Sequence, residues 1–481
     1  MLLLPRLRAN SSAGGLAANA PDVRRGCWDV FGQLGWNYAL QSAPHMAPLI
    51  EMIGAIVNGT GTSDDAAKAS RTAVEAAAAQ EEAAAAAGEE TAGEEAAGEE
   101  AAGEEAAGPA EAEAEEGTQW AQGLLLHGAA APLEQLHIDP RKIFSFGSSS
   151  GGDMAIQFQV GFSAHVSGVC GNDAQPFGCA ATRFAGDFLL PQTRASSTPH
   201  CHGCPANTTI AYDHCKSHAG WVEPTLLASQ ATALPSCQPA DEADGGAAAG
   251  RSDGDCIDAL THLRRARVFL TRGECRTYVG SAVENTLQVY KQLGAGDAAE
   301  GGGLLYFDRC RPDGGHVDND TTPMCLSHMM PSLKPKGRAE WRHLHAFEQA
   351  PYAVRDDVGF GPRGLVYVPE ACRDAAQPAC GLQVRFHGCG GVYPPDPETM
   401  AFAETNGIVL LLPAIQGKAG GNNATAACNA GTAVAGNCKE ISRGCWDGYG
   451  QLSDGYVLQS AAHMSSVWRM VARVANLSET A

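Results

Sequence analysis

The chain has 481 residues, with 54 acidic and 33 basic side chains and a formal net charge of -21. Fourteen glutamates and no lysine or arginine fall between residues 81 and 116, so one tract carries most of the imbalance and the remainder is only mildly acidic. That balance disfavours a nucleic-acid partner, which needs a basic face to neutralise phosphates, and no apolar run is long enough to span a membrane.

Seventeen cysteines are many for a reduced cytosolic enzyme, and six Asn-x-Ser/Thr sequons, at Asn10, Asn58, Asn207, Asn319, Asn423 and Asn476, fit an oxidising secretory route. The expected location is therefore extracellular, although the apolar stretch at Met1 to Arg6 is too short for a convincing signal peptide.

In chain order, the first feature is half of an internal repeat. Arg25-Gly26-Cys27-Trp28-Asp29 recurs as Arg443-Gly444-Cys445-Trp446-Asp447, and the match continues without a gap at an offset of 418 through His45-Met46 and His463-Met464. Each copy reads as a Trp-bearing loop followed by an amphipathic helix, His45 to Val57 and His463 to Val474. Residues 1–60 are thus expected to be a partial repeat of the C-terminal segment. Residues 61–125 follow as a low-complexity Ala/Glu/Gly linker, too poor in large apolar side chains to offset its ordering entropy.

Residues 126–481 have the pattern of one α/β domain. Short apolar runs at Lys142 to Phe146, Ala266 to Thr271, Gly303 to Phe307, Gly364 to Val368, Leu382 to Phe386 and Ile408 to Leu412 read as buried strands. Helical stretches such as Ser281 to Leu293 and Pro397 to Thr405 lie between several of them, which predicts a mostly parallel sheet covered on both faces.

The sharpest chemical signal is Gly147-Ser148-Ser149-Ser150-Gly151, placed after the Lys142 to Phe146 strand and before an expected helix. A Gly-x-Ser-x-Gly sequence in that context predicts a nucleophile elbow, with glycines where the tight turn leaves no room for side chains. Ser149 is then the nucleophile. In such folds the acid and then the histidine follow the serine, each in a loop after a later strand. His316, in Arg311-Pro312-Asp313-Gly314-Gly315-His316, fits the base. Glu274, the carboxylate that follows the Ala266 to Thr271 strand, is the candidate acid, with a solvated loop carboxylate as the alternative reading. The oxyanion hole should combine the backbone N–H of Ser150 with one from His387-Gly388-Cys389-Gly390-Gly391, where Cys389 is the expected donor.

The cysteines Cys201, Cys204 and Cys215 with His218 have spacing compatible with a small zinc knuckle, but in so cysteine-rich a chain disulfides are the preferred reading, and no metal site or cofactor is assigned. Cys372 and Cys380 flank a short loop suited to a local disulfide, and a second between Cys389 and Cys445 would tie the oxyanion loop to the Trp446 loop.

The stretch Ile138 to Met154 around the elbow, Phe386-His387-Gly388-Cys389, Phe402 to Val409 and Gly444-Cys445-Trp446-Asp447 together resemble the secreted poly(3-hydroxybutyrate) depolymerases and their feruloyl or acetylxylan esterase relatives. The resemblance implies an α/β-hydrolase fold and hydrolysis of a carboxylic ester, polymeric or not, through an acyl-enzyme without a cofactor. It implies Ser149 as nucleophile, His316 as base, Ser150 and Cys389 as oxyanion donors, and Trp446 as part of a substrate groove. The His-Gly-Cys and Gly-Cys-Trp-Asp motifs precede the elbow in the usual arrangement and follow it here, which resembles the circularly permuted form. The family aspartate is replaced: its place falls at Arg276, with Glu274 two positions earlier. That departure supports an alternative, a catalytically weak or inactive module that binds polyester or polysaccharide.

Overall fold

In the computed structural model, the described residues are 120, 123–125, 128–182, 215–216, 222–237, 254–273, 277–309, 321–356, 358–391, 395–417, 439–453 and 455–479. The N-terminal repeat and nearly all of the acidic linker fall outside them.

Eight strands form one sheet: β1 (Ile138–Ser148), β2 (Val166–Asn172), β3 (Arg267–Arg272), β4 (Gly303–Asp308), β5 (Leu344–Glu348), β6 (Arg363–Tyr367), β7 (Cys380–Phe386) and β8 (Ile408–Leu412). Their spatial order is β4-β3-β2-β1-β7-β8-β6-β5. All neighbours from β4 to β8 pair in parallel, and β6 alone is reversed, antiparallel to both β8 and β5 at the far side. The centre is buried on both faces. All five residues of β8 are buried, whereas edge strand β4 contains no fully buried residue, as expected where one side of a ladder meets solvent. Each large apolar side chain buried in the central strands contributes about 1.5–3 kcal/mol relative to exposure.

The six strands expected from the sequence are present. Two more, β2 and β5, were not legible, because Gly168 and Gly171 interrupt the apolar run of β2 and exposed His345 and Glu348 interrupt the short β5.

Among the described residues, the α-helices of eight or more residues are α1 (Ser150–Gly161), α2 (Pro224–Ala233), α3 (Thr277–Gln292), α4 (Thr322–Met329), α5 (Pro397–Asn406) and α6 (Ala462–Ala475). Helix α5 has clear sequence punctuation. The Asp396 side chain accepts the Thr399 N–H at 2.7 Å, Pro397 occupies the first turn, and Gly407 ends the helix at φ 60°. Helix α1 differs, since all twelve of its residues are buried. It is wedged between the sheet and α6: Phe158 meets Phe386 of β7 edge-on at 5.5 Å, and Phe162 stacks on Trp468 of α6 at 4.7 Å. A helix buried all round presents no polar stripe, which is why α1 is recognised by the motif before it and not by amphipathic periodicity.

The disulfides expected between Cys372 and Cys380 and between Cys389 and Cys445 are both present. Cys170–Cys325, Cys179–Cys215 and Cys237–Cys256 join them. Because Cys215 is bonded to Cys179, it has no thiolate to offer a zinc knuckle; Cys201, Cys204 and His218 lie outside the described residues. No helix among the described residues is long and apolar enough to cross a membrane.

Candidate active site

Strand β1 runs at the centre of the sheet directly into α1, and Ser149 is the single residue between them. It is exposed and sits at φ 55°, ψ -124°, a left-handed backbone angle that a residue with a Cβ adopts only where its surroundings enforce it. The enforcement comes from backbone crowding. A Cβ on Gly147 would lie 2.0 Å from the Gly151 carbonyl oxygen, and one on Gly151 would lie 2.1 Å from that of Phe386. One on Gly152 would lie 2.5 Å from the carbonyl oxygen of Asn172. Glycine at these three positions lets β1, α1, β2 and β7 converge, and the turn that results projects Ser149 outward. The Ser149 N–H donates to the Asn172 carbonyl at 3.0 Å, and the Asn172 side-chain amide donates to Ser148 Oγ at 2.8 Å.

The His387–Gly391 loop follows β7, the other neighbour of β1. A Cβ placed on Gly388 would be 3.9 Å from the Cβ of Ser149, so this loop flanks Ser149. Ser150 opens α1, and the first N–H groups of a helix have no intrahelical acceptor. The elbow therefore has a free helix terminus on one side and the Gly388–Cys389 peptide on the other. The loop is fixed in place. Gly390 N–H donates to the Arg443 carbonyl at 2.9 Å, and Cys389 is bonded to Cys445. His387 is held by backbone at both ring nitrogens: its Nδ1 lies 2.6 Å from the Gly388 carbonyl, and its Nε2 accepts the Ile415 N–H at 3.0 Å. With burial pushing its pKa down to about 4, His387 is a neutral loop support with no lone pair left for a serine proton.

Trp446 departs from its expected role. It is fully buried, ringed by Phe386 at 5.0 Å, His387 at 5.3 Å, His463 at 5.4 Å and Phe360 at 6.0 Å, and so fills core beneath the His387–Gly391 loop and does not line a groove. A sequence motif shows that an aromatic is required, but not whether it faces substrate or core. Its neighbour Asp447 is also buried. The Asp447 carboxylate accepts the N–H groups of Gln451 at 2.7 Å and Leu452 at 3.0 Å, and burial pushes its pKa up to about 6. His463 accepts the Asp447 N–H at Nδ1 and lies 2.6 Å from the Val358 carbonyl at Nε2, and burial lowers its pKa to about 4.

The sequence reading missed the end of β2. Asp173, immediately after that strand, is nearly buried and has φ 53°. Its N–H donates to the Thr271 carbonyl at 3.0 Å, and its Oδ1 accepts the Gly273 N–H at 2.8 Å. Recognising β2 would have drawn attention to it, because side chains that leave adjacent parallel strands at their carboxyl ends converge. His316, Glu274 and Arg276 lie outside the described residues.

A strained, exposed serine on a strand-to-helix turn at the carboxyl edge of a mostly parallel sheet is the arrangement in which α/β-hydrolases hold a nucleophile. Comparison with characterised proteins narrows the class. The chain is 27% identical over 378 residues to a poly(3-hydroxybutyrate) depolymerase of Delftia acidovorans, an alignment that covers 72% of this chain and 62% of that protein. The resemblance to poly(3-hydroxybutyrate) depolymerases read from the motifs is thereby borne out, and the chain spans about three fifths of the length of that relative. Two solved structures are also similar at 17% identity, each covering 72% of this chain and 99% of its own: a PHB depolymerase carrying S39A with an R3HB trimer, at a TM-score of 0.48, and the PHB depolymerase of Penicillium funiculosum, at 0.46. No family model matches the chain.

Proposed function

We propose that the chain is a secreted carboxylic ester hydrolase that acts on a polyester of the poly(3-hydroxybutyrate) kind. The observation that carries this reading is the exposed Ser149 at φ 55°, flanked by the Gly388 loop. The sequence relative supplies the polymer class, and five disulfides among the described residues fit an oxidising compartment.

In the proposed reaction Ser149 Oγ attacks the ester carbonyl while His316 takes the hydroxyl proton. The N–H groups of Ser150 and Cys389 receive the negative charge that develops on the carbonyl oxygen. His316 then protonates the departing alkoxide, leaving an acyl-serine. Water, deprotonated by the same histidine, attacks the acyl group and restores Ser149. Chain order makes Glu274 the sequence candidate for the carboxylate that orients His316. No cofactor is needed for any step.

The order of strands supports a permuted chain. The segment from β1 to β4 builds one half of the sheet and the later segment from β5 to β8 builds the other, so the loop that flanks Ser149 arrives from downstream of the elbow. The alternative, an inactive module gripping polymer through Trp446, loses its main contact because that ring is buried.

Hydrolysis of p-nitrophenyl butanoate by the purified chain tests the reading. Ser149→Ala should lower kcat/KM by roughly ten-thousand-fold or more with the fold intact. Hydrolysis that persists in Ser149→Ala would overturn it.

A further inference from the structure

We propose that Asp173, and not Glu274, is the carboxylate that positions the catalytic base; the inference rests on the serine-hydrolase reading above.

The sheet register supplies the first argument. Ser148 of β1 is paired with Asn172 of β2, and Asn172 with Thr271 of β3, so the chain leaves the three parallel strands side by side at one edge. Ser149 and Asp173 are the next residues on two adjacent strands, which lie about 4.8 Å apart. The Ser149 N–H bond to the Asn172 carbonyl joins the two turns directly. An imidazole bridging a serine hydroxyl and a carboxylate through hydrogen bonds of about 2.8 Å on each side spans roughly 7–8 Å, which side chains from neighbouring strands can supply.

Backbone conformation supplies the second. Among the described residues, three non-glycines have positive φ: Ser149, Asp173 and Asn476. Asn476 ends helix α6, an ordinary place for that angle. The other two occupy consecutive turns beside the same nucleophile, and strained angles gather where a side chain must be aimed.

The third is how the carboxylate is seated. Oδ1 accepts the Gly273 N–H at 2.8 Å, and a Cβ on residue 273 would lie 2.9 Å from Oδ2, so glycine there leaves room for the carboxylate. A carboxylate braced by a backbone N–H can receive an imidazole N–H in a fixed direction, hold the productive tautomer and stabilise the imidazolium without taking its proton. Where the resemblance expects an aspartate the chain has Arg276, and Glu274 stands two positions earlier; Asp173 supplies a carboxylate from the strand next to the serine.

A purely structural Asp173 would only staple the ends of β2 and β3. Asp173→Asn separates the two roles, since asparagine tolerates the positive φ and keeps an oxygen for the Gly273 N–H while removing the charge. The experiment measures kcat/KM for p-nitrophenyl butanoate against pH in the parent chain, Ser149→Ala, Asp173→Asn and Glu274→Gln, with the unfolding midpoint of each. The expected result is a loss of about a thousandfold or more in Asp173→Asn, with the acid limb of the profile moved to lower pH because the base has lost its neighbouring negative charge, and a loss at least thirtyfold smaller in Glu274→Gln. A larger loss in Glu274→Gln than in Asp173→Asn, or an unmoved acid limb in Asp173→Asn, would overturn the assignment. Activity that survives Ser149→Ala would overturn the serine reading and this inference with it, whereas loss in Ser149→Ala beside parent-like Asp173→Asn would overturn this inference alone. Should Asp173→Asn fail to fold, Gly273→Ala takes its place: a methyl group there displaces the carboxylate with all charges kept, and a loss of tenfold or more supports the assignment, while parent-like kinetics overturn it.

Discussion

Two glycine-bearing loops meet at the carboxyl edge of the sheet, and they use the same residue type for opposite purposes. In the Gly147–Gly152 elbow, glycines let four backbone segments approach so closely that Ser149 is forced outward. In the Gly444–Leu452 loop, glycines let the chain fold inward: Gly444 turns at φ 78°, and a Cβ on Gly448 would lie 2.6 Å from that of Asp153 on α1. The first loop exposes one serine hydroxyl. The second buries an indole and a carboxylate against His463 of α6, and through the Cys389–Cys445 bond it anchors the loop that flanks the serine. The Trp-bearing motif is here a support for the neighbouring loop, and crowding at the elbow ejects a small polar side chain.

The largest expected effect comes from breaking the crowding itself. Gly151→Ala drives a methyl group into the carbonyl oxygens of Phe386 and His387, neither of which can move without parting α1 from β7. Loss of folded protein or of both activity and several kcal/mol of stability should follow, as read by denaturant unfolding. Next, Trp446→Ala should cost about 3–5 kcal/mol by leaving a core cavity, while Trp446→Phe should cost less and leave KM for a soluble ester within about twofold. A rise in KM well beyond that, without loss of stability, would restore the groove role.

Removing the anchor comes third. Cys389→Ser with Cys445→Ser opens a loop closed across 56 residues, with an expected loss of about 2–4 kcal/mol by chemical denaturation and a drop in kcat larger than the change in KM. The smallest effect is a slope. Buried His387 and His463, with pKa values lowered to about 4, bind protons more readily when unfolded, so their contribution is present above about pH 6.5 and lost as pH falls toward 4. Asp447, raised to about 6, works in the opposite sense: its contribution is present below its ordinary value near 4 and lost as pH rises through 6. Two groups against one leave stability rising with pH across this window by about one proton, or ~1.4 kcal/mol per pH unit, from these three residues. Asp447→Asn should steepen the dependence toward two protons, measured as unfolding free energy between pH 4 and 6.

What the sequence made legible follows the same division. The elbow could be read because its determinants are local: three glycines around one serine, a strand before and a helix after. Both strands flanking β8 and the α5 caps were likewise written in short-range pattern. Asp173 was hidden because its importance depends on a register between β1 and β2, and β2 itself carries glycines that obscure its alternation. Trp446 was misassigned because its burial depends on Phe360, Phe386 and His463, which come from three other segments of the chain.

The central claim is that crowding around Ser149 makes it a nucleophile, and covalent labelling tests this most directly. The folded parent chain is treated with a fluorophosphonate, and the modified peptide is identified by mass spectrometry. The account predicts a single stoichiometric adduct on Ser149 that is lost on unfolding; a folded chain that hydrolyses ester yet carries no adduct at Ser149 would contradict it.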